Sequence, residues 1–181
     1  MSTIIFWVGL YAMGFVGAVI LYRVPALEGK LRRVPDSLRT LVLIPFLAPP
    51  LALPLLPQPR LAWPPIIGWL TGVSSLILAA VVGFLAMREI GVRPSWGEPK
   101  GLVTTGIYGV VRHPYYLSLF LFAVGWAVYF QAVYALLFVP VLVISYVAII
   151  CMEEQGLQTE YGDDYQEYAE RVPWRLIPRV F

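Results

Sequence analysis

Five stretches of this chain carry no charged side chain, and they decide what it can fold into. Thr3 to Tyr22, Ile66 to Met87 and Val133 to Met152 each reach roughly the 20 residues that carry a helix across a bilayer. Leu41 to Leu56 and Tyr115 to Phe130 are shorter runs of the same kind. Of the 181 residues 59% are hydrophobic and only 13% charged, with a mean hydropathy of +0.74. A soluble domain carries about a quarter charged residues, so the excess apolar surface has to face lipid. In lipid a segment must satisfy its own backbone polar groups, and a helix does so. The expectation is an all-α, polytopic integral membrane protein of five transmembrane helices, residues 1–181 forming one membrane domain. No basic n-region precedes the first run and no small-residue cleavage site follows it. It therefore reads as a retained helix and not as a signal peptide.

The charges sort by side. Arg23, Lys30, Arg32, Arg33 and Arg39 fall in the first loop, Arg88, Arg93, Lys100 and Arg112 in the third, and Arg171, Arg175 and Arg179 in the tail. Only Arg60 lies on the other side, and every acidic residue shares the side of the basic majority. The positive-inside rule then sets the N-terminus outside and the third loop and C-terminus in the cytoplasm.

Between the runs, Pro45, Pro49, Pro50 and Pro54 must kink or break the second, which neighbours have to compensate by covering the freed carbonyls. Gly14 with Ala18, Gly68 with Gly72, and Ala79 with Gly83 are small-residue pairs suited to close helix contact. Gln131 and Ala132 leave room only for a tight hairpin between the fourth and fifth runs. Beyond Met152 the composition turns polar. Leu157, Tyr161, Tyr165, Tyr168 and Val172 recur at spacings of three and four, an amphipathic cytoplasmic helix with a bend near Gly162.

Several function classes drop out. One cysteine, Cys151, rules out an internal disulfide and a cysteine cluster, and a single histidine makes a zinc site unsuited to this chain. No G-x-G-x-x-G follows a strand, so a soluble dinucleotide domain is excluded. Nothing calls for a metal or a nucleic acid; the partners expected are the bilayer and a small or lipophilic molecule. No charged residue sits in the middle of any run, where a transporter needs one.

The chemistry concentrates in the third loop, K-G-L-V-T-T-G-I-Y-G-V-V-R-H-P-Y-Y, Lys100 to Tyr116. Pro114 suits the first turn of a helix because its missing N–H has no partner there in any case. Free N–H groups of that turn, with Arg112, would form an electropositive pocket for a carboxylate or a phosphate. The same residues also fit a short positive loop before an ordinary helix start.

This loop, Glu153-Glu154, and Y-G-D-D-Y-Q-E-Y-A-E-R-V-P, in that order, resemble the isoprenylcysteine carboxyl methyltransferase family and its phospholipid methyltransferase relatives. The resemblance covers the C-terminal 80 or so residues, so residues 1–90 read as a helical scaffold and 91–181 as the cofactor-binding and catalytic part. It implies a polytopic enzyme using S-adenosylmethionine at the cytoplasmic face, the C-terminal segment closing over the cofactor and the acceptor arriving from between the helices. Carried over by position, the cofactor contacts are Lys100, Gly101, Leu102, Val103, Tyr108, His113, Pro114, Tyr115, Tyr116 and Glu153. His113 would take the cofactor's carboxylate and Glu153 its ammonium, with the tyrosines lending aromatic faces to sulfonium or adenine.

Arg112 and Glu154 are the catalytic candidates, Arg112 as a receptor for an anionic acceptor and Glu154 as the base for an amine. Two departures stand out. The family's histidine at the head of the motif is Lys100 here, and the substrate arginine of the prenylcysteine enzymes is Ile149. An apolar residue there argues against a carboxylate acceptor and favours one such as an amine-bearing lipid. Sterol reductases, which bind NADPH, resemble the same half of the chain and supply the rival reading, with a non-catalytic membrane subunit as a second.

Overall fold

The computed structural model describes residues 2–23, 36–90 and 101–181, with side chains for 5–20, 44–90 and 101–181. Lys100, Lys30, Arg32, Arg33 and Arg93 lie outside these residues. Six α-helices run along the described chain: α1 (Ser2–Arg23), α2 (Asp36–Ala52), α3 (Pro65–Ile90), α4 (Pro114–Tyr129), α5 (Val133–Tyr161) and α6 (Asp163–Arg171). Two 3-10 turns, Leu53–Leu55 and Gly106–Gly109, complete the regular structure. Among the described residues the sole extended pairing is an isolated bridge, Arg60 with Ala132.

Helices α3 and α5 are long and apolar enough to cross a membrane. At about 1.5 Å per residue they exceed the roughly 30 Å of a hydrocarbon core. The apolar stretches Ile5–Ile20, Ile44–Leu55 and Pro114–Tyr129 are shorter. Large apolar side chains point outward, with Leu137 and Ile144 each 70% exposed. Such a surface faces lipid, and the chain is a membrane protein.

The prolines of α2 act later than expected. The helix passes through Pro45, Pro49 and Pro50 and tightens into the 3-10 turn only after Ala52. The carbonyls released there find side-chain donors. Trp126 Nε1 donates to Leu51 O (3.0 Å), Gln58 Nε2 to Leu53 O, and Arg60 to Pro54 O (2.8 Å) and Leu56 O (3.3 Å). Arg60 also donates to Phe130 O (2.8 Å). The one basic residue set apart from the others is thus used up on backbone carbonyls.

Small residues draw the helices together. A Cβ on Gly72 would lie 2.7 Å from the Tyr129 backbone, so α3 and α4 pack antiparallel at near contact, and Ser75 Oγ donates to Leu121 O (2.9 Å) across the seam. Gly14 lets α1 press against the backbone of Pro45 and Phe46.

The change to polar composition at Glu153 leaves the helix intact. Nothing from Glu153 to Tyr161 interrupts the helix, so α5 runs on past its apolar part, which ends at Met152. It stops at Gly162, whose φ of 53° only glycine adopts without strain. Beyond it α6 buries Tyr165, Tyr168 and Val172 against Leu102, Leu157, Tyr161 and Ala169, the stripe read from the sequence.

Candidate active site

His113 is the N-cap of α4, Pro114 occupies the first turn, and both are buried. The two residues that enter this helix are held from behind. Arg112 N donates to Trp174 O (2.9 Å) and His113 N to Arg175 O (2.8 Å), so the C-terminal segment runs alongside the motif. The N–H groups immediately ahead of α4 are therefore spent on protein.

Arg112 is spent as well. Its Nε and Nη2 donate to Glu154 Oε1 (2.9 and 2.8 Å), and its Nη1 donates to Val172 O (2.8 Å) and Ala169 O (3.3 Å). It ties the end of α6 to α5 and forms no open electropositive pocket. Arg175 closes the other side of the same carboxylate, with Nε and Nη2 each 2.9 Å from Glu154 Oε2, while its guanidinium lies over the Phe181 ring. His113 Nε2 completes the set at 3.2 Å from Glu154 Oε1.

Glu154 thus collects two guanidiniums and an imidazole on α5, just past its apolar part. Burial opposes its ionisation, but hydrogen bonds from His113, Arg112 and Arg175 outweigh it and hold the carboxyl at about 2 against a usual 4.5. An ionised carboxylate only accepts, so the Nε2 of His113 carries the proton of their bond. The other ring nitrogen, Nδ1, then faces Glu153.

Glu153, one residue away and turned by about 100° around the helix, has a different environment. Its Oε2 is buried without a hydrogen-bond partner and lies 4.0 Å from His113 Nδ1. The carboxylate oxygen thus marks a place beside His113 where a donor is wanted. A buried, unsatisfied carboxylate oxygen is costly in a folded protein.

Tyr108 and Tyr116 stand around this point, while Tyr115, expected there from the sequence, is exposed beyond Tyr116. The Tyr116 ring is 5.9 Å from that of His113, and Tyr115 is 6.2 Å from Tyr116. Tyr108 O accepts from the Tyr168 hydroxyl (2.8 Å), which fastens α6 to the Gly106–Gly109 turn. Burial pushes the Tyr108 hydroxyl well above the usual phenol range, helped by the negative charge of Glu153, and burial brings Tyr168 to about 12.

The structure therefore gathers Tyr108, Arg112, His113, Pro114, Tyr116, Glu153 and Glu154. Gly101 and Leu102 line instead a cleft of about 430 Å³ with Thr104, Tyr161, Asp164, Glu167 and Arg171, and Val103 is half-buried. Two participants escape a reading of the sequence. Arg175 follows Glu154 by 21 residues with no motif spacing to flag it. Glu89, at the end of α3, reaches the Gly106 backbone, where a Cβ would meet its Oε1 at 2.5 Å.

The family model for phospholipid methyltransferases matches residues 67–164, more than half of the chain and all of the His113–Glu153–Glu154 cluster. The chain belongs to the phospholipid methyltransferase family. Relatives of the chain include a protein-S-isoprenylcysteine O-methyltransferase of Schizosaccharomyces pombe, 41% identical over 73 residues (40% of this chain, 31% of the relative). A methanethiol S-methyltransferase of Crocosphaera subtropica is 31% identical over 116 residues (63% and 44%). A Delta(14)-sterol reductase of Mus musculus is 34% identical over 84 residues (45% and 20%). The chain spans less than half the length of each of these three.

Proposed function

We propose that this member of the family is an S-adenosylmethionine-dependent methyltransferase of the membrane, acting at the cytoplasmic face on a small or lipophilic acceptor. The observation that carries this reading is the unpartnered Glu153 Oε2 facing His113 Nδ1. A cationic donor such as the ammonium of an amino acid satisfies that oxygen, and the tyrosines beside it offer faces to a sulfonium or an adenine. His113, its Nε2 held by Glu154, borders that ammonium and not the cofactor carboxylate expected from the sequence. Cofactor contacts of Gly101, Leu102 and Val103, with Lys100, require the molecule to extend along the loop from this cluster toward the cleft that Gly101 and Leu102 line. When bound, the cofactor supplies a methyl group on a sulfonium, an electrophile with its leaving group installed. The protein's share is to orient the acceptor and to keep water out, which the C-terminal segment clamped on Arg112 and His113 does from the cytoplasmic side.

In this reading Glu154 and Arg112 position the site. Taking a proton onto Glu154 would cost its bonds to two arginines, so acceptors that ionise unaided suit the site best. A thiolate is such an acceptor, the cysteine thiol ionising at about 8.5, and one relative is named for a thiol substrate. Ile149, buried one turn before Glu153, offers no charge to a carboxylate acceptor. The arrangement of charges supports five crossings within one membrane domain, the N-terminus outside and the C-terminus cytoplasmic.

Titration calorimetry of the detergent-solubilised protein tests the reading, with NADPH as the competing ligand that the reductase relatives bring in. S-adenosylmethionine should bind. Glu153→Ala and His113→Ala should each lose about 1.5–3 kcal/mol, the value of a charge-assisted hydrogen bond. Binding of NADPH alone, or unchanged affinity in both folded variants, would refute it.

A further inference from the structure

Above the site, toward the membrane interior, the inner face of α5 is filled with rings contributed by three other helices. Tyr146 of α5 lies seven residues before Glu153, on the same face and about 10 Å along the axis. Its ring is 6.0 Å from Tyr116 of α4 and 5.9 Å from Phe46 of α2. Phe46 stacks on Tyr11 of α1 at 4.9 Å, and Tyr11 meets Phe138 of α5 edge-on, also at 4.9 Å. Tyr11, Phe46, Phe138, Tyr146 and Ile149 are all no more than 6% exposed and belong to one core cluster. From Phe138 to Ile149 the wedge covers about 16 Å of helix. It cannot easily step aside, because Gly14 brings α1 against the backbone at Phe46.

We propose that this aromatic wedge, Tyr11–Phe46–Tyr146, sets an upper limit on the acceptor's length, so that the enzyme methylates a short-chain acceptor and excludes prenyl and long acyl chains. The inference rests on the methyltransferase reading and narrows its acceptor class. A long chain whose reacting atom lies beside His113 and Glu153 would have to enter between α1, α2, α4 and α5. That is where the wedge stands, its buried rings packed in one cluster from about two turns above Glu153 onward. A packed interior yields little to an added chain, since overfilling forces side chains off their rotamers. Ile149 adds to the effect by covering the position directly above Glu153 with hydrocarbon.

The test is a homologous series of n-alkanethiols from methyl to pentadecyl, with a farnesylcysteine analogue, assayed for methyl transfer from labelled S-adenosylmethionine. The melting temperature of the donor-free protein with each thiol gives a second readout. Transfer to the short members is expected, with kcat/KM falling about tenfold or more toward the long ones, and no thermal shift from the long thiols. Phe46→Ala should raise the long-to-short ratio by about tenfold, and Phe46→Leu by less, serving also if the alanine variant does not fold. Equal use of long and short acceptors by the native protein, transfer to no thiol by a protein that binds the donor, or an unmoved ratio in folded Phe46 variants would overturn the wedge. Failure to bind S-adenosylmethionine would instead remove the reading beneath it.

Discussion

Replacing Glu154 by glutamine removes one charge from the meeting point of Arg112, His113 and Arg175 while leaving the shape of the side chain. The amide oxygen still accepts from one side, but its NH2 then confronts the donors of the other. Arg112, with its side chain 8% exposed, is left as a buried cation without its anion. Removing one partner of a buried pair costs about 3–5 kcal/mol. A second route gives a similar size: at about 1.4 kcal/mol per pH unit, a carboxyl brought from 4.5 to about 2 contributes roughly 3 kcal/mol. The element released is the C-terminal segment, whose Trp174 and Arg175 carbonyls accept from the Arg112 and His113 amides. Hydrogen exchange at those two amides reads its opening directly. At about 1.4 kcal/mol per tenfold, Glu154→Gln should speed it by roughly a hundredfold to a few thousandfold. Arg175→Ala, whose side chain is 35% exposed, should cost about 1 kcal/mol or less. Because the folded pKa is lowered, the Glu154 contribution is complete above 4.5 and fades as the pH falls toward about 2. Pepsin cleavage in the tail should rise over that interval in the native protein. Native protection in Glu154→Gln, or equal effects of the two substitutions, would refute the lock.

Two further outcomes follow from the architecture. Gly72→Ala should loosen the α3–α4 seam by about 1–3 kcal/mol, since the new Cβ falls 2.7 Å from the Tyr129 backbone; a lowered melting temperature in detergent checks it, against Gly9→Ala, where a Cβ meets nothing within 4 Å. Single cysteines placed at the two termini of a Cys151→Ala background should be reached by an impermeant reagent from outside at the N-terminal position only, as twelve of the thirteen basic residues sort to the other side.

Several features were legible in the residues themselves. The apolar runs, with no charge inside them, required helices in lipid. Pro114 marked the start of α4 because it fixes φ and lacks an N–H, and Gly162 marked the break after α5 because it alone takes the required positive φ without strain. The tyrosine stripe of α6 followed from a spacing of three and four. The prolines of α2 were legible only as a disturbance. Where the helix gives way depends on Gln58 and Arg60, which fold back from the loop that follows, and on Trp126, 75 residues from Leu51 and in another helix.

Tertiary structure alone decided the site's division of labour. Glu153 and Glu154 are adjacent and chemically alike. A turn of about 100° between them sends one to Arg112 and Arg175, 42 and 21 residues away, and leaves the other beside His113 with an oxygen unpaired. Periodicity tells which face of a helix is apolar or charged. It does not tell which other helix will meet that face, and for that reason the lock on Glu154 and the wedge above Glu153 come into view only once the helices are packed.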